Sequence, residues 1–116
     1  MLQSINKVEL VGVVGNARTQ NVNGKKYISL TLCTNRAYRD AEGVPVMETN
    51  WHQVKAFEGK DIADFNRIQR GTALHVIGRI RHLRCIKPDG EDEYVTEIFA
   101  SRIEIIDDNI QPESEI

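Results

Sequence analysis

Apolar side chains return at every second position in five separate stretches, and that rhythm confines the chain to a mostly β architecture. Val8, Leu10, Gly12 and Val14 share one parity while Lys7 and Glu9 take the other, so residues 5–14 read as a first strand. Asn23-Gly24 is a tight-turn signal, after which Ile28, Leu30 and Leu32 alternate with Tyr27, Ser29 and Thr31 to complete a hairpin. Residues 38–47 are polar and punctuated by Gly43 and Pro45; they predict a flexible loop, and a third strand follows over residues 49–58. Leu74, Val76, Gly78 and Ile80 mark a fourth strand, and Pro88-Asp89-Gly90 turns the chain into a fifth, over about residues 93–106.

One segment breaks the rhythm. Between Lys60 and Arg70, Ile62, Phe65 and Ile68 recur every third residue, and Gly71 stands where a helix ends in the left-handed conformation, so a short amphipathic helix is expected. Three strands, a helix and two further strands is the order of the OB-fold, a five-stranded Greek-key barrel that binds oligonucleotides across one face. The expected class is therefore all-β with one short helix. A chain of 116 residues fits one domain with a core of its own, placed at residues 1–106. Residues 107–116, polar and bearing Pro112, are expected to form a short acidic, disordered tail.

The net charge of −2 argues against a nucleic-acid binder only until it is divided along the chain. Residues 1–106 hold all 15 Lys and Arg against 13 acids, a surplus of two positive charges, while Asp107, Asp108, Glu113 and Glu115 fall in the last ten residues. A mildly basic body can hold a polyanion because the local field of a groove matters more than the molecular sum. The N-terminal residues show no basic run followed by an apolar stretch, and no apolar run nears the roughly 20 residues that span a bilayer; a cytosolic protein away from membranes is expected. In that compartment Cys33 and Cys85 are read as reduced thiols. His52, His75 and His82 with the two cysteines make a poor metal set: only His82 and Cys85 are close, and no second ligand pair follows. No phosphate loop, nucleophile elbow or spaced carboxylate pair appears, so no cofactor and no catalytic residue is expected.

The segment Thr49-Asn50-Trp51-His52-Gln53-Val54-Lys55-Ala56-Phe57 carries the functional reading. Alternation puts Trp51, Gln53, Lys55 and Phe57 on one side of the strand and His52, Val54 and Ala56 on the other. A core face does not ordinarily carry a central lysine, whereas a surface for single strands needs aromatic planes to stack on bases and cations to meet phosphates. The competing reading is that Trp51 plugs a barrel end. Arg79 and Arg81 share a parity opposite Val76, Gly78 and Ile80, and Arg84 continues toward the next loop; Tyr38 with Arg36 and Arg39 repeats the pairing of an aromatic with cations. Such arginines pair with phosphates or stack on bases, or simply form a solvated outer face.

Asn6-Lys7-Val8-Glu9-Leu10-Val11-Gly12, Trp51-His52-Gln53-Val54, the glycine-ended helix, and Asp89-Gly90-Glu91-Asp92-Glu93-Tyr94-Val95-Thr96-Glu97 together resemble the bacterial single-stranded DNA-binding protein family, in the same order and over roughly residues 4–106. The resemblance implies a homotetramer, or a dimer, of OB-folds that binds single-stranded DNA without sequence preference and without catalysis, in replication, recombination and repair. It implies that Trp51 and Phe57 stack on bases, that Tyr38 takes a place where the family often has an aromatic, and that Lys7 joins the cations around the strand. His52 looks like the family's histidine at subunit contacts, and Asn6, Val8 and Leu10 fall in the strand where family subunits pair. Two positions depart from the pattern. Cys85 stands where many relatives place a further aromatic, and the last ten residues end Glu113-Ser114-Glu115-Ile116 where typical relatives carry a long linker and an acidic Pro-Phe tip. The second departure puts recruitment of replication proteins through such a tip in question. The rival reading is a primosomal-type OB interaction module with weak strand binding.

Overall fold

The structure, a computed structural model, describes residues 1–106. Five long strands, β1 (Val8–Val22), β2 (Lys25–Arg39), β3 (Pro45–Phe57), β4 (Ala73–Ile86) and β5 (Asp92–Ile105), close into a barrel in the order β1-β2-β3-β5-β4. This is the OB arrangement read from the sequence. Every neighbouring pair is antiparallel except β3 and β5, which meet in parallel through two pairs only, Val54 with Ile98 and Lys55 with Phe99.

The inward parity fills the barrel. Ile28, Leu30 and Leu32 of β2, Val54 and Ala56 of β3, Leu74 and Val76 of β4 and Ile103 of β5 are all buried. Each Val, Leu or Ile side chain among them contributes about 1.5–3 kcal/mol on leaving water. The Asn23-Gly24 turn forms as expected, with φ of 52° and 83°, the pair of positive angles that a two-residue hairpin of matching twist requires.

Three expectations change. Residues 60–70 do not form an α-helix; a single 3-10 turn spans Phe65–Arg67. The three-residue spacing of Ile62, Phe65 and Ile68 suits a helix of three residues per turn as well as one of 3.6, and here it seats Phe65 and Ile68 in the barrel mouth. The turn is held at its start by Asp64, whose carboxylate accepts from the Asn66 N–H at 3.0 Å. Just ahead of it the chain is tied to β5 instead of coiling: Ala63 N–H donates to Ile103 at 2.9 Å, and Ile103 N–H donates to Asp61 at 3.0 Å.

Half of the loop expected over residues 38–47 is ladder, since Tyr38 pairs with Val46 and Arg39 with Pro45. The residual bend is braced by Asp40, whose carboxylate accepts from the N–H groups of Glu42 and Val44, each at 2.9 Å. The first strand also runs eight residues beyond its expected end at residue 14, because its polar outer half pairs with β2 up to Val22 opposite Lys25. Polar hairpin arms show no apolar alternation, so the sequence rhythm does not mark them.

Candidate nucleic-acid interface

The outward parity of β3 carries Trp51, Gln53, Lys55 and Phe57, as the alternation predicts, and His52, Val54 and Ala56 turn inward. Trp51 does not plug the barrel: it is 61% exposed. Its ring lies over Gly15 of β1, where an added Cβ would come within 2.5 Å of Cζ3. Gly15 occupies the bulge at which the β1–β2 register shifts between Val14 and Asn16. Only a residue without a side chain lets the indole lie on the sheet there.

Six residues further along β3, about 20 Å in an extended strand, Phe57 stands in a row of aromatics that crosses three strands. Tyr27 of β2 lies on one side with ring centroids 4.9 Å apart, and Phe99 of β5 on the other at 6.2 Å. Cations flank the row. Lys25 lies 5.7 Å from the Phe57 ring, and Arg79 and Arg81 of β4 lie 5.0 and 4.4 Å from that of Phe99. Between Trp51 and the row, Asn16, Arg18, Ser29, Thr31 and Gln53 line a polar groove of about 370 Å³.

Beneath the row is Glu97, whose side chain is wholly shielded from solvent. Its Oε2 accepts from Arg81 Nη2 at 2.6 Å and from Arg81 Nε at 3.2 Å. Lys55 Nζ lies 2.9 Å from Oε1 as a charge contact, not an aligned hydrogen bond. Burial alone pushes the Glu97 carboxyl up, but the hydrogen bonds from Arg81 and the contact with Lys55 outweigh it and hold the group below the ordinary carboxylate value. The same carboxylate raises the Lys55 ammonium above its usual value. Both groups stay charged.

The remaining expected site residues are distributed elsewhere. Tyr38 and Arg36 stack on one another at 4.8 Å, but by strand parity they face away from Trp51, and Arg36 also pairs with Glu48 at 3.2 Å. Hydrogen bonds from Asn50 and Arg36 hold the Glu48 carboxyl below its ordinary value. Arg39 donates to the Gly43 carbonyl at 2.8 Å, and Arg84 pairs with Asp92 at 3.1 Å on the parity opposite Arg79 and Arg81. Lys7 lines a groove of about 350 Å³ together with Asn6, Arg79 and Phe99, so it adjoins one end of the aromatic row.

The expected subunit-contact residues are engaged within the chain. His52 Nε2 and Thr34 Oγ1 share a hydrogen bond at 2.8 Å. Val8 and Leu10 pack against the barrel's own core, because they carry the inward parity of β1; the side chains that β1 presents outward are Glu9, Val11 and Val13. Asn6 clamps β4: its amide donates to the Ile80 carbonyl at 2.8 Å and its carbonyl oxygen accepts from the Ile80 N–H at 2.9 Å.

Sequence reasoning missed Gly15, Arg18, Lys25, Tyr27, Glu97 and Phe99. Tyr27 and Phe99 each have the outward parity of their strand, but they become neighbours of Phe57 only through the β2–β3 and β3–β5 registers. The second of those is a non-sequential pairing that no local pattern announces.

A five-stranded closed barrel with aromatics and cations gathered on one outer face defines an OB-fold of the oligonucleotide-binding type. Residues 5–106 match the family described as the single-strand binding protein family, and the chain belongs to that family. A single-stranded DNA-binding protein of Xylella fastidiosa is 32% identical over 110 residues, covering 91% of this chain and 66% of the relative. The chain thus spans about two thirds of that relative's length. A mitochondrial single-stranded DNA-binding protein of Danio rerio is 26% identical, covering 94% of this chain and 81% of its own. Among solved structures, a Plasmodium falciparum SSB in complex with ssDNA superposes with a TM-score of 0.79 at 24% identity, covering 92% of this chain and 99% of that one. A small single-stranded DNA-binding protein of Streptomyces coelicolor superposes with a TM-score of 0.66 at 18% identity, covering 90% and 96%. At these identities the structural likenesses establish the fold.

Proposed function

We propose that this chain binds and protects single-stranded DNA without sequence preference and without catalysis, in replication, recombination and repair. The observation that carries the reading is an exposed Trp51 lying on the same outer face as the Tyr27, Phe57 and Phe99 row, with Lys25, Arg79 and Arg81 beside it. Any base can stack on such planes, for about 1–3 kcal/mol each, so affinity does not depend on sequence. Lys7, Arg18, Lys25, Lys55 and Arg79 are side chains that meet phosphates. Tyr38 and Arg36 extend the contact onto the opposite face of the β2–β3 hairpin, Arg39 extends it along the Trp51 side toward the hairpin tip, and Arg84 adds the opposite face of the β4–β5 hairpin.

Self-association belongs to the same reading. Val11 is 60% and Val13 45% exposed on the outward face of β1, and a second copy would cover them. Family membership supports assembly as a homotetramer or dimer, and the bacterial relatives support a place in the bacterial cytosol. Among the described residues, no helix is long and apolar enough to cross a membrane.

The test is a titration of fluorescently labelled oligo(dT) followed by anisotropy and by Trp51 quenching at several salt concentrations, with duplex DNA of equal length as the control. Strand holding predicts quenching, a negative salt slope from counterion release, and much weaker duplex binding. Comparable affinity for duplex, or binding without quenching, would refute the stacking mechanism. Weak binding without quenching is the outcome expected of an interaction module.

A further inference from the structure

Glu97 poses a problem for a surface that meets a polyanion. It carries the outward parity of β5, the parity of Phe99, and it stays ionised at the centre of the proposed binding face. A carboxylate there repels phosphates. Stability alone gives no reason for it, since replacing a buried ion cluster by apolar groups is often neutral or favourable. What the carboxylate does do is geometric. It grips Arg81 of β4 through two nitrogens and Lys55 of β3 through its second oxygen, joining three neighbouring strands. The grip on Arg81 holds its guanidinium carbon over the Phe99 ring, 4.4 Å from the centroid.

We propose that Glu97 is a positioning residue for strand binding, holding the Arg81 guanidinium over Phe99 and the Lys55 ammonium beside it as a preset surface for one nucleotide. The proposal rests on the strand-binding reading given above. In the free protein an unrestrained arginine samples many rotamers, and ordering it on binding costs affinity. Glu97 imposes that order in advance. The carboxylate also matches one of the two positive charges it holds, so Arg81 serves chiefly as a flat surface for a base and Lys55 as a contact for phosphate. The attraction for phosphate forgone with that cancelled charge is the accompanying penalty.

The two roles available to Glu97 predict opposite signs. If its charge is all that matters, Glu97→Gln adds one net positive charge to the face and tightens oligo(dT) binding. If it positions, Glu97→Gln weakens binding despite the added charge. We expect a weakening of at least threefold by anisotropy at fixed salt, with unchanged folding by circular dichroism. Arg81→Lys, which keeps the charge but lacks the planar fork, should weaken binding similarly, and the double variant should lose little more than either single one. Equal or tighter binding by Glu97→Gln, with the unsubstituted protein binding normally, overturns the proposal.

A readout independent of DNA separates this from the reading beneath it. The Arg81 Nε–H proton, held by Glu97 beside the Phe99 ring, should give a ring-shifted NMR signal protected from exchange, and Glu97→Gln should abolish both properties. Failure of the unsubstituted protein to bind oligo(dT) would defeat the strand-binding reading, while an Arg81 signal already unprotected and unshifted would defeat the role of Glu97. Should Glu97→Gln not fold, Glu97→Asp keeps the charge and shortens the reach; weaker binding upholds positioning and unchanged binding overturns it.

Discussion

Gly15→Ala separates the position of Trp51 from its presence. The new Cβ would stand 2.5 Å from Cζ3 and 2.9 Å from Cη2 of the indole, and 3.1 Å from the Thr31 hydroxyl. Carbon atoms rest at about 3.5–4.0 Å, so the ring must move outward by roughly 1 Å or more. It is free to do so, being 61% exposed. Gly15 is not among the glycines with positive φ, so alanine meets no backbone strain there, and the loss of glycine's freedom in the unfolded chain contributes about 0.4–1 kcal/mol toward stability. Folding should therefore be unimpaired while the stacking surface is displaced. Complete loss of one stacking plane costs about 1–3 kcal/mol, or about 5- to 150-fold in Kd, and that bounds the effect. The expected result is a several-fold rise in Kd for labelled oligo(dT) by anisotropy, smaller than that of Trp51→Ala measured alongside, with an equal or higher Tm. Affinity unchanged in Gly15→Ala but reduced in Trp51→Ala would show that the seat of the ring is irrelevant and refute the reasoning.

Further outcomes follow from the same geometry. Phe99→Ala should weaken oligo(dT) binding by about 1–3 kcal/mol if the row is a stacking surface, and an unchanged Kd would remove β5 from the interface. Asn6→Ala deletes both hydrogen bonds to Ile80 and should lower stability by about 1–3 kcal/mol in urea denaturation; a smaller loss would mean that water replaces the clamp. His75 bonds Glu9 at 2.6 Å and lies 3.4 Å from Glu104, and the Glu9 bond foremost raises its folded value above the ordinary 6.5. The stability it contributes is therefore complete below about pH 6.5 and is lost as pH rises through the raised value, a slope that His75→Gln should flatten. Glu97 has the opposite sign. With a folded value below 4.5, its contribution is present above that pH and is lost as acid takes the solution through the lower folded value, so Glu97→Gln should show a shallower acid limb in thermal melts.

Much of the barrel was legible because burial enforces parity. Leu30, Val54 and Val76 announce themselves by alternation, and the same alternation put Trp51, Lys55 and Phe57 together on the outside. The segment around Phe65 was misread for a physical reason, since a three-residue apolar spacing is shared by two kinds of helix and tertiary ties to Ile103 decided between them. The site was only half visible. Tyr27, Phe99 and Glu97 acquire their roles through neighbours on other strands, and the arrangement under Trp51 depends on a bulge at Gly15 that no periodicity encodes. Tyr38 and Arg84 had the right chemistry but the parity opposite to the main face, which only the register reveals.

The parallel meeting of β3 and β5 has a consequence for how the molecule moves. The barrel is a three-stranded half, β1-β2-β3, and the β4–β5 hairpin, joined on one edge by the six pairs of the β1–β4 ladder and on the other only by this two-pair seam. Phe57 stands on one half and Phe99 on the other, so a nucleotide stacked across both would act as an additional stitch. Amide exchange should then slow most at residues 54–55 and 98–99 when a strand is bound, and the ligand would be a structural member of the barrel as well as its cargo.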